Sequence, residues 1–130
     1  MIRVLCVCML ATPAWAEEVL PAPDYFVDSA MATSTAQVLA RSCTRLSVNP
    51  VEMTRHGDAV LDALARDGFT AENLATRMAD PSTQVAVQQR TFLQKHDLTE
   101  GASEAEVCVA GLREIAEGTN IGKLLVEVEE

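Results

Sequence analysis

Apolar residues in this chain return with helical rather than strand spacing. Ala32, Ala36, Leu39, Cys43 and Leu46 step by four and three, which is one face of a helix. The pattern predicts a first helix from near Asp24 to about Arg45, after an extended Pro21-Ala22-Pro23 lead. Asn49-Pro50 restarts the chain with an N-cap residue and an N1 proline. The second helix should turn Met53, Val60, Leu61 and Leu64 inward and stop at Asp67-Gly68, with Gly68 just past its end. Thr70 is placed to cap a short third helix, Ala71 to about Ala79. Asp80-Pro81 ends it and opens a fourth, which runs to about His96 and buries Val85, Phe92 and Leu93.

Ser103-Glu104-Ala105-Glu106 is a capping box, a serine followed three residues later by glutamate. It opens a fifth helix with Cys108, Leu112 and Ile115 on one stripe, ending at Gly118. A last turn or short helix carries Ile121, Leu124, Leu125 and Val128 on its apolar side. Runs of β-branched or aromatic residues alternating with period two are few, so strands have little support. No repeat, linker or low-complexity tract breaks the chain. The expected fold is all-α, a compact bundle of about five short helices.

The first sixteen residues change this picture. Arg3 supplies a positive start, Val4 to Ala14 are mostly apolar, and Ala14-Trp15-Ala16 places small side chains where a signal peptidase reads them. This predicts a signal peptide over residues 1–16, cleaved between Ala16 and Glu17, and a single helical domain over 17–130. The apolar run is shorter than the ~20 residues of a permanent anchor. No small residue of the lipoprotein type precedes Cys6 or Cys8. Eight arginines against two lysines, with abundant alanine, suggest a GC-rich bacterial genome, so export points to the periplasm as a soluble protein.

Cleavage also removes Cys6 and Cys8, leaving Cys43 and Cys108, both on core-facing stripes. Two cysteines in an oxidising compartment predict one disulfide, Cys43–Cys108, with two buried free thiols as the alternative. It would close a loop of about 66 residues, a chain-entropy contribution of roughly 4 kcal/mol. The formal net charge is −9, and loss of Arg3 makes it −10. Such a surface repels nucleic acid and anionic lipid. A protein partner is possible, no membrane association is expected after signal cleavage, and the oligomeric state is left open.

Candidate chemistry is sparse. His56 with Asp58 and Asp62 is the one cluster to weigh as a metal site, but spacings of two and six put these side chains on different helix faces. A solvated helix face is the simpler reading. His96 beside Asp97 sits at a predicted helix end, where an imidazolium complements the dipole. Gln84, Gln88, Gln89 and Arg90 form a polar patch on the fourth helix. The stripe Ile121, Leu124, Leu125 and Val128 is too apolar for water; it either docks on its own domain or is a possible interaction stripe. No Gly-x-Ser-x-Gly elbow, phosphate-binding glycine loop or Cys-x-x-Cys-His haem motif is present, so no catalytic, cofactor-binding or metal residue is assigned.

The segments Thr91-Phe92-Leu93 through Cys108, Gly111-Leu112-Arg113-Glu114-Ile115-Ala116 and Ile121-Gly122-Lys123-Leu124-Leu125 resemble domain of unknown function 5333, a family of small exported bacterial proteins. Cys43, Gly68-Phe69-Thr70 and Cys108 occupy the family's cysteine and turn positions. The resemblance covers most of the mature chain. It implies a helical fold with a disulfide and carries no activity. The leading expectation is a non-enzymatic periplasmic helical module with a protein-binding or structural role. The alternatives are an acid- or stress-activated holdase and an uncharacterised enzyme.

Overall fold

A computed structural model of the chain describes residues 18–129; the expected cleavage point at Ala16 and Glu17 lies outside them. Six helices and two short strands follow in the order α1 (Asp24–Ser42), β1 (Leu46–Val48), α2 (Pro50–Arg66), α3 (Leu74–Arg77), α4 (Ser82–Lys95), α5 (Glu104–Glu117), α6 (Asn120–Lys123) and β2 (Leu125–Glu127). The fold is helical, with one disulfide between Cys43 and Cys108. No helix among the described residues is long and apolar enough to cross a membrane.

The caps predicted at Asn49, Ser103 and Gly68 are made. The Asn49 side chain accepts from the backbone N–H groups of Val51 and Glu52, satisfying two donors that a helix start leaves open. The Ser103 hydroxyl accepts from Glu106 N–H, and the Glu106 carboxylate accepts from Ser103 N–H at 2.7 Å. Gly68 closes α2 in the left-handed region, at φ +82°, which a glycine adopts without steric cost.

α1 runs through the middle and packs against α2, α4, α5 and α6. The larger core gathers Met31, Ala32, Ala36, Leu39 and Cys43 of the α1 face with Leu46, Phe92, Cys108, Ala110, Ile121, Leu124 and Leu125. A smaller one holds Ala22, Val27, Leu64, Phe69 and Met78. It also receives the chain's entry, because Leu20 bridges Met78 through Leu20 N–H to Arg77 C=O at 2.6 Å and Ala79 N–H to Leu20 C=O at 2.7 Å.

Several expectations are corrected. α1 ends at Ser42, and a turn at Thr44-Arg45 leads into β1, which pairs antiparallel with β2 in the register Leu46↔Glu127, Ser47↔Val126, Val48↔Leu125. Leu46 is buried as expected, but from a strand. α3 is one turn long, and Thr70 does not cap it directly; Thr70 and Asn73 exchange hydrogen bonds in the turn that leads into it. Leu61 and Leu93, expected inside, are exposed, because only one narrow side of α2 and of α4 meets the core. The C-terminal stripe is not a free interaction surface. Ile121, Leu124 and Leu125 are buried in the larger core, and only Val128 stays at the rim.

Candidate functional site

Two features stand out at the α4–α5 side: a buried carboxylate and an open apolar groove that share a wall. Glu114 lies on the inner stripe of α5 and is 2% exposed. An ion buried this deeply costs several kcal/mol unless it is paired and hydrogen-bonded. Here Oε1 accepts from Lys95 Nζ at 2.6 Å and faces His96 Nε2 at 2.6 Å, while Oε2 accepts from the Thr119 hydroxyl. An ionised carboxylate only accepts, so Nε2 is the protonated ring nitrogen. Burial pushes the Glu114 carboxyl up, but the bonds from Lys95, Thr119 and His96 outweigh it and hold the group below the ordinary carboxylate value. The same partners, Glu114 and then Glu117, raise the Lys95 ammonium. Glu117, bonded to Lys95 at 2.7 Å and to Arg113 at 2.7 Å, is lowered to about 2.

The cluster joins three elements: α4 through Lys95 and His96, α5 through Glu114, and the entry to α6 through Thr119. Thr119 also caps α6 by accepting from Gly122 N–H at 3.0 Å. α6 sits directly on the last turns of α5, since a Cβ on Gly122 would come within 1.9 Å of the Glu114 carbonyl oxygen. Only glycine permits that approach.

Phe92 links this cluster to the groove. Its ring lies 4.7 Å from the His96 ring, centroid to centroid, and Phe92 also lines the groove. The groove, of about 400 Å³, runs between α1 and α4 and is closed at one end by the α4–α5 loop. Leu39, Phe92, Leu98 and Val107 supply its apolar surface, and Ser42, Gln89 and Thr99 its polar edge. No charged side chain lines it. Val38, 56% exposed, and Leu93, 42% exposed, stand on opposite walls. The closed end is covalently fixed: Ser42 and Val107 are sequence neighbours of Cys43 and Cys108, whose Cα atoms are 5.2 Å apart. Glu104 adds a second tie there, accepting from Thr44 N–H at 3.0 Å and from its hydroxyl at 2.7 Å, bonds that lower its pKa.

The residues singled out from sequence fare differently. His96 does cap α4, yet its imidazole turns inward to Glu114 instead of standing at a solvated helix end. His56, Asp58 and Asp62 are not brought together as ligands, and no group of three or more His, Cys, Asp or Glu able to hold a metal occurs among the described residues. The His56 Nε2 atom is shielded and without a hydrogen-bond partner. In the polar patch, Gln88 donates to Asp28 at 2.6 Å and ties α4 to α1, Gln89 edges the groove, and Gln84 and Arg90 are exposed. Glu114, Lys95, Thr119, Val38 and Leu93 were missed as a site. Glu114 was legible, since it follows Cys108 and Gly111 at helical spacing and so places a charge on the stripe that faces the core.

These features define a disulfide-linked helical domain with one buried ion cluster and one neutral groove. The chain belongs to DUF5333, a family of unknown function, whose profile matches residues 18–126. No curated protein and no solved structure matches it.

Proposed function

We propose that this protein is an exported, periplasmic binding module that works by holding a protein partner in the α1–α4 groove and catalyses no reaction. The observation that carries the reading is a concave, uncharged apolar surface flanked by the exposed side chains of Val38 and Leu93. The buried ion cluster argues against catalysis, because Glu114 is closed to solvent and every donor around it is already engaged. Export rests on the signal-like residues 1–16 and on the disulfide, which persists in oxidising compartments.

The test is site-specific photo-crosslinking in cells that export the protein. A photoreactive residue is placed at Val38, at Leu93, and at Val109 as an exposed apolar control on α5 outside the groove. Adducts of one mass at Val38 and Leu93, with none at Val109, are expected. Equal labelling at all three positions would contradict the reading.

A second reading, an acid-activated holdase, draws on a different observation. The ties between elements at Glu104, Glu114 and Glu117 all end on carboxylates, which acid neutralises, whereas the disulfide persists. Below about pH 3 the remaining positive charges repel one another and would spread the helices within the staple's reach. An apolar-surface dye should then gain binding on acidification, and no gain would end this reading.

A further inference from the structure

The lining of the groove says what kind of partner fits it, and this step rests on the binding-module reading above. We infer that the occupant is the apolar face of a cationic amphipathic helix, with positive charge toward the α4–α5 loop.

Shape comes first. The α1 wall is the row Ser34, Val38 and Ser42, spaced by four along one helix face. Eight residues at 1.5 Å rise span about 12 Å, or roughly two helical turns. A ligand confined to the floor would leave Val38 and Leu93 wet. A helix lying across the groove covers both walls and inserts side chains at i, i+3, i+4 and i+7, as helix-in-groove complexes do. An extended strand is less suited, because the walls offer side chains and no open sheet edge.

Charge comes second. The loop that closes the groove contributes Leu98, Thr99, Gly101 and Ala102 to its lining and carries Asp97 and Glu100 between and beside them. Both carboxylates are exposed, and neither has an ion pair among the described residues. Asp97 is held in the left-handed region at φ +51°, which turns the chain sharply out of α4 and into this loop. Arg90 lies next to Gln89 on the α4 side and Arg41 next to Ser42, so the loop's two carboxylates stand against one arginine at the closed end, within a chain of net charge −9. Basic side chains, or the positive N-terminal end of the partner helix, complement that end.

The test uses the oxidised protein and two synthetic helical peptides that share leucines at i, i+3, i+4 and i+7. One carries lysines on its polar face and the other glutamates. The lysine peptide should bind at least tenfold more tightly at low salt, with the gap narrowing as salt is added. Val38→Glu and Leu93→Glu, both at exposed positions, should weaken it at least tenfold while leaving the circular dichroism spectrum intact. Asp97→Asn with Glu100→Gln should shrink the preference for lysine and keep the apolar contribution. Equal affinity for the two peptides overturns the inference, as does a neutral fatty alcohol that fills the groove and shifts floor signals without those of Val38 and Leu93. Crosslinks at Val38 and Leu93 combined with no peptide preference would overturn this assignment alone and leave the binding-module reading standing. An absence of groove crosslinks would remove both.

Discussion

α5 is held by a disulfide near its start and a buried ion cluster near its end, whereas the α2–α3 end of the domain depends on five buried apolar residues, Ala22, Val27, Leu64, Phe69 and Met78. Along its seventeen residues α2 fully buries only Leu64, and α3 fully buries none. Stability in small domains is marginal, and segments with few buried contacts open first. The covalent tie and the charge cluster flank the groove, so the surface assigned to binding lies at the stiff end.

The largest effect should come from breaking the staple. Cys43→Ala with Cys108→Ala is expected to cost about 4 kcal/mol by the loop-entropy estimate, read as a lower denaturation midpoint. Hydrogen exchange should rise most in α5 and the residues after Cys43, shrinking the contrast between the two ends. Next, Glu114→Ala should cost about 3 kcal/mol, because it strands the buried His96 and part of Lys95 without their acceptor. Phe69→Ala should cost a similar 3 kcal/mol through its cavity. The two differ in place: loss of Glu114 loosens α6, while loss of Phe69 loosens α2 and α3.

Acid should act on the stiff end selectively. The folded pKa of Glu114 lies below its unfolded value, so its contribution is present above the ordinary carboxylate pKa of about 4.3 and is lost as pH falls through the folded value. Stability should therefore decline below about pH 4, and the decline should flatten in Glu114→Gln. The smallest effect belongs to the loose end. Tyr25, the chain's one tyrosine, donates to Asp67 at 2.7 Å; burial first, then this bond, pushes its phenol up to about 12. Ultraviolet titration should find that midpoint, and Asp67→Ala should bring it back toward the ordinary value of about 10. The raised value contributes stability below about pH 10 that is lost as pH rises through 12.

Much of the helical frame was legible from periodicity and caps. Asn49, Ser103 and Gly68 ended or began helices where their chemistry placed them, since capping is local and needs no tertiary partner. The strands were hidden for the opposite reason. Leu46 continues the four-three spacing of α1, and only its distant partner Glu127 makes the segment a strand. The Val126-Glu127-Val128-Glu129 alternation was the period-two signal, too short to outweigh the helical stripe beside it. The exposure of Leu61 and Leu93 was likewise beyond a periodicity argument, which gives a helix its apolar side but not how much of that side finds a neighbour. The disulfide followed from counting cysteines, whereas the ion cluster needed α4, α5 and α6 in place before its donors could converge.

The most direct test of the account is an amide chemical-shift map of the oxidised protein titrated with the lysine-faced peptide. Shifts confined to residues 34–42 and 89–107 are expected, with α2 and α3 silent. Shifts centred on α2 and α3, or none at all, would contradict the placing of the binding surface at the stapled end.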